Sequence, residues 1–184
     1  MFDSNTDSVL NPHFIFNSMN AIRYTIFEDQ DKASELLSEL AQLLRFKLAD
    51  GKNQTDVLEE LTFVKHYLNL EALRLEERLE CDIKIDNISK HNNLPHSLLL
   101  PIVEKICHEK DIYGVSHNQL SLHCLEADKK ITFTLELVQA PHVKSGEINF
   151  STELASITPS LTPALTQTLT KNSYKMELTL NYDH

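Results

Sequence analysis

The residues of this chain best suited to chemistry stand in one string, Asn11-Pro12-His13-Phe14-Ile15-Phe16-Asn17-Ser18-Met19-Asn20. Asn11 can cap a helix, and Pro12 suits the first turn because it lacks an N–H that would go unpaired there. His13 then projects from the helix N-terminal end. Asn17 follows four residues on, so its amide can reach the imidazole or a group bound to it. A neutral imidazole keeps one ring nitrogen with a free lone pair, which can attack phosphorus. A lone histidine on an amphipathic helix is more simply a helix-start residue beside core aromatics, so the weight rests on the whole string.

Three amphipathic helices must position it. In the first, Ile15, Met19, Ile22 and Ile26 recur at helical spacing, and Phe16 and Phe27 widen the face. The second begins near Asp31, carries Ala33, Leu36, Leu40, Leu43 and Leu44 on one side, and ends around Asp50-Gly51. The third follows Thr55-Asp56, either of which can cap it, with the stripe Leu61, Val64, Leu68, Ala72, Leu75 and Leu79. At Leu79 the period changes. Cys81, Ile83 and Ile85 alternate with Asp82, Lys84 and Asp86, which predicts a half-buried strand. A polar stretch from Ser89 to Asn93 leads to a short apolar helix from His96 to His108. Strands are expected from Leu120 to Leu125, Ile131 to Val138 and Tyr174 to Asn181, and a helix within Ser151 to Thr170.

Composition narrows the class. The 184 residues suffice for one medium domain or two small ones, and 41% hydrophobic with 24% charged residues is ordinary for a folded chain. A net charge of -10 with no basic stripe argues against nucleic acid as a partner. Cys81, Cys107 and Cys124 form no CxxC pair and fit a reduced, cytoplasmic setting. No apolar run is long enough to cross a bilayer, and the N-terminus has no signal-peptide pattern, so no membrane contact by this chain is expected.

The string around His13 closely resembles the Asn-Pro-His-Phe-Leu-Phe-Asn box of the LytS/YehU-type sensor histidine kinases, where the histidine is autophosphorylated. The resemblance runs on through Leu43-Leu44-Arg45-Phe46, Leu58-Glu59-Glu60-Leu61, Tyr67-Leu68-Asn69-Leu70-Glu71 and Leu73-Arg74 to Glu77-Arg78-Leu79. Leu99-Leu100-Pro101-Ile102-Val103-Glu104 looks like the start of the family's nucleotide-binding N box. The likeness implies an α+β fold: a helical dimerisation and phosphoacceptor hairpin over residues 1–55, then over 56–184 a connecting helix and a degenerate GHKL-type α/β sandwich. It also implies His13 as phosphoacceptor, Asn17 as the residue orienting it, a homodimer paired through Ile15, Met19, Ile22 and Leu36, Leu40, Leu43, and a response-regulator receiver domain as partner. Family members commonly carry a membrane sensor upstream, so the chain could be the cytoplasmic part of one.

The likeness breaks where the family binds ATP and Mg2+. After Glu104 the N box should carry a metal-binding Asn and has Lys105, whose ammonium has no lone pair for a metal. The chain holds only Gly51, Gly114 and Gly146, and no Asp-x-Gly-x-Gly. Where the adenine-reading loop should stand, the sequence is Gln139-Ala140-Pro141-His142. Glu104 and Lys105 are thus read as a degenerate nucleotide site, with no cofactor and no metal expected. His91, His96, His108, His117 and His123 have no ligand spacing and read as scattered histidines. Three functions stay in play: an active sensor kinase, a histidine phosphotransferase that has lost ATP binding, and a non-catalytic pseudokinase that regulates a partner. The phosphotransferase asks least of the chain, since a relay needs only an exposed histidine and a docking surface.

Overall fold

The computed structural model describes residues 11–49, 53–88, 93–155, 157 and 161–182. The helix stop expected at Asp50-Gly51, most of the polar stretch before Asn93, and His91 lie outside them.

Helix α1 spans Pro12–Glu28 and α2 Gln30–Lys47. The turn between them is set by Asp29, whose backbone N–H closes α1 and whose carboxylate accepts from Lys32 N to open α2. Strand β1, Gln54–Asp56, ends in Asp56, whose side chain caps α3, Val57–Leu75, through Leu58 N at 2.7 Å. A 3-10 turn, Glu76–Arg78, begins at a positive φ of 53° and redirects the chain into β2, Leu79–Asp86. Leu79 therefore closes the core from a strand, although its spacing continues the stripe of α3.

Strand β3, Asn93–Pro95, pairs antiparallel with β1, and α4 follows at Leu99–Glu109, three residues later than the sequence pattern places its start. The rest of the chain is β4 (His117–Ala127), β5 (Lys130–Ala140), a single turn α5 (Ser151–Leu154), β6 (Leu161–Leu169) and β7 (Ser173–Tyr182). A five-stranded sheet runs β2-β4-β5-β7-β6, parallel between β2 and β4 and antiparallel elsewhere. Strict alternation puts Leu120, Leu122 and Cys124 of β4, Phe133, Leu135 and Leu137 of β5, and Met176, Leu178 and Leu180 of β7 on one buried face. These rows join the buried sides of α3 and α4 in one continuous core.

Three expectations need correction. The helix expected within Ser151 to Thr170 is only one turn long, and Leu161–Leu169 is an edge strand paired with β7. Its β-branched threonines alternate with larger residues at period two, and Pro163 is tolerated because an edge strand leaves alternate N–H groups unpaired. In α1, the buried row is Phe14, Ser18, Ile22 and Thr25, while Met19 and Ile26 are exposed. Phe14 sets that rotation: its ring meets Tyr67 of α3 at 4.9 Å between centroids. β2 is also more open than expected, with Cys81 and Ile85 exposed, because it too is an edge.

Candidate functional site

The buried row divides α1 into three faces at helical spacing. Phe14, Ser18, Ile22 and Thr25 face inward, Phe16, Met19, Ile26 and Phe27 face outward, and His13, Asn17, Ala21, Tyr24 and Glu28 line a cleft of about 1690 Å³. The Asn11 side chain accepts from His13 N at 2.9 Å and starts the helix, with Pro12 in its first turn. His13 is exposed, and the Asn17 amide nitrogen lies 3.1 Å from its Nε2 and 3.3 Å from its Nδ1.

Across the cleft stand Glu104 and Lys105 of α4, so the four residues singled out in the sequence share one cavity. Each of the latter pair is already engaged. Glu104 Oε2 takes Lys47 Nζ of α2 at 3.2 Å, while its Oε1 is buried without a hydrogen-bond partner. Burial pushes this carboxyl above its usual range, and Lys47 opposes the rise. Lys105 Nζ donates to both oxygens of Glu153 in α5, at 2.8 and 3.0 Å.

Several participants were missed in the sequence. Glu71 of α3 is buried and accepts from Arg74 and, at 2.8 Å, from Tyr113 Oη, and all three line the cleft. Glu60 accepts from Leu99 N at 3.0 Å, a cap for α4 supplied from another helix because Leu98 at the N-cap has no suitable side chain. Desolvation raises Glu60 to about 7 despite the peptide N–H groups of Ser97, Leu98 and Leu99 and the charge of Lys47. The adjacent acids at Glu59-Glu60 read as a solvated helix start, and only the tertiary position of α4 distinguishes the second. His96 belongs to the framework: its Nε2 donates to Phe46 O at 3.1 Å and its Nδ1 accepts from Thr55, which ties α2, β1 and the entry to α4 together. Among the described residues, no group of three or more His, Cys, Asp or Glu side chains could hold a metal ion. No described helix is long and apolar enough to cross a membrane.

Solved structures of similar build include histidine kinases. AdeS of Acinetobacter baumannii superposes with a TM-score of 0.52 at 11% identity, covering 94% of this chain and 95% of that one. The histidine kinase ThkA, solved in complex with the response regulator TrrA, gives 0.51 at 10% identity, over 93% of this chain and 59% of that one. These likenesses fix the class of fold, a helical hairpin followed by a GHKL-type α/β domain. In sequence, residues 4–79 match the family model described as Histidine kinase. The sensor protein kinase HptS of Staphylococcus aureus strain USA300 is 28% identical over 135 residues, which is 70% of this chain and 26% of that protein. The chain thus spans about a quarter of the length of the curated relatives it matches. Over its helical first part and in its fold the chain is thus similar to histidine kinases.

Proposed function

We propose that this chain is a histidine phosphotransferase of a two-component system, in which His13 takes a phosphoryl group from a response-regulator aspartate and passes it to another, without binding ATP. The observation that carries the reading is the contrast within one cleft: His13 is exposed beside Asn17, whereas Lys105 stands at the metal-binding position of the N box and is held by Glu153. An ammonium offers a metal no lone pair. No aspartate stands at Gln139-Ala140-Pro141-His142, and Val143, Ile148 and Phe150 are buried in the core rather than lining a nucleotide pocket. Mg-ATP therefore does not fit the residues present.

In the transfer, the lone pair of an imidazole nitrogen attacks the phosphorus of an aspartyl phosphate. The new N–P bond forms as the P–O bond to the carboxylate breaks, and the carboxylate leaves as an anion. The receiver brings its own aspartate and divalent metal, so this chain need supply only an oriented nucleophile. Asn17 holds the ring. That ThkA was solved with a response regulator supports a receiver as the partner. A homodimer and a cytoplasmic location complete the reading. The dimer would form through the outward face of α1 with Leu37, Ala41, Leu44 and Leu48 of α2, since Ile22, Leu36, Leu40 and Leu43 are buried within one chain.

The test has two arms. Calorimetry with millimolar Mg-ATP should show no binding, and a phosphorylated receiver should label the wild type but not His13→Gln. Micromolar ATP affinity would instead favour an active sensor kinase, the activity named for HptS.

A further inference from the structure

The segment from Pro141 to Phe150 has little regular structure, yet it is pinned at intervals along its length. Val143 N donates to Lys171 O at 3.0 Å, and Asn172 Nδ2 donates to Pro141 O at 3.2 Å. Gln167 of β6 clamps Ile148 from both sides, its Oε1 accepting from Ile148 N at 2.9 Å and its Nε2 donating to Ile148 O at 2.8 Å. The same Oε1 accepts from Tyr174 Oη at 2.7 Å. At the centre lies Lys110, the residue that closes α4, only 2% exposed. Its Nζ donates to Lys144 O at 3.2 Å and to Gly146 O, and stands 4.3 Å from the centroid of the Tyr174 ring.

We propose that Lys110 is a tethered cation that holds the 141–150 segment closed, filling with its own ammonium a small-cation site built from the Lys144 and Gly146 carbonyls and the Tyr174 ring. Carbonyl oxygens and an aromatic face are together what a desolvated monovalent cation requires. Among the described residues no carboxylate forms an ion pair with this ammonium; burial disfavours its charge and the field of Glu109 favours it, so the direct contacts are the carbonyls and the ring. Gly146 serves the same contact from the other side. Its φ of 100° turns its carbonyl toward Lys110, a conformation open to glycine and strained for other residues. Gln139 Nε2 donates to Lys110 O at 3.0 Å and holds the lysine backbone against β5. The segment thus has a built-in substitute for a bound ligand, which keeps it ordered without nucleotide. The lock stands whether or not ATP binds elsewhere.

Hydrogen exchange on the whole chain reads the lock directly, because the amides of Val143 and Ile148 are protected only while the segment is closed. In Lys110→Ala these two should exchange about tenfold faster, the loss of one charged hydrogen-bonding group, while Leu122 and Leu135 in the central strands keep the wild-type rate. n-Propylammonium chloride, which carries the methylenes and ammonium that alanine lacks, should slow them again relative to sodium chloride at equal ionic strength. It should not do so in Lys110→Met, where the side chain fills the space. Gly146→Ala adds a Cβ that meets nothing within 4 Å, so it should release the same two amides through backbone strain alone. It also keeps the test open should Lys110→Ala fail to fold. Wild-type rates at Val143 and Ile148 in both variants, or equal acceleration across the central strands, would overturn the proposal. Either result would leave the receiver labelling of His13 untouched.

Discussion

At the scale of single residues, charge is concentrated where α4 meets the hairpin. Lys47 stands between two carboxylates, pairing with Glu104 at 3.2 Å and acting on Glu60 through its field. Glu60 is fully buried, and its second oxygen has no partner. With a folded pKa near 7 against an ordinary 4.5, the folded chain holds a proton between those values that the unfolded chain has released. Stability should therefore fall as pH rises from 4.5 to 7, by on the order of 3 kcal/mol. Glu60→Gln should flatten that slope in urea titrations run across the window, and an unchanged slope would refute the assignment. Lys47→Met should cost about 2 kcal/mol, less than a fully buried pair because Glu104 keeps some solvent. Adding Glu104→Gln should recover at least half of that loss in the same assay. The Asn-Pro-His string was legible in the sequence because its capping and spacing are local. Glu60, Lys47 and Lys110 were not, since their partners lie 39, 57 and at least 34 residues away along the chain.

At the scale of elements, α1 shows how periodicity can identify a helix and still misplace its core. Its apolar residues cover more than half the circumference, so Ile15, Met19, Ile22 and Ile26 and the row Phe14, Ser18, Ile22 and Thr25 are both consistent with a period of 3.6. The small Ser18 and Thr25 allow close approach of α2 and α3, while Thr25 returns its hydroxyl to Ala21 O at 3.1 Å. Phe14→Ala should accordingly destabilise the chain by about 3 kcal/mol, through the lost contact with Tyr67 and the cavity left behind. Met19→Ala should change thermal unfolding little. A larger effect at Met19 than at Phe14 would mean that the inward face is misassigned. β6 was hidden for a different reason: leucine, threonine and alanine suit either state, and only pairing with β7 decides for the strand.

At the scale of the whole molecule, one helix presents His13 to a cleft, its core row to its own chain, and an apolar row to solvent. Phe27 is 85% and Phe16 66% exposed, and Leu37 and Leu48 of α2 are exposed as well. Exposed apolar residues on both helices of a hairpin are what a second copy can bury. Phe16→Asp with Phe27→Asp should convert a dimer to a folded monomer by light scattering with unchanged circular dichroism, whereas Ile22→Asp should unfold the hairpin. A wild type that scatters as a monomer at high micromolar concentration would remove the dimer from the account.

The relay itself is tested most directly by mixing the chain with a phosphorylated receiver, in the absence of ATP, and following acid-labile, base-stable label. The wild type should acquire it, His13→Gln should not, and Lys105→Ala should match the wild type because no nucleotide chemistry is involved. Failure of every phosphorylated receiver of the same cell to label the wild type, or equal labelling of His13→Gln, would contradict His13 as a phosphoryl carrier.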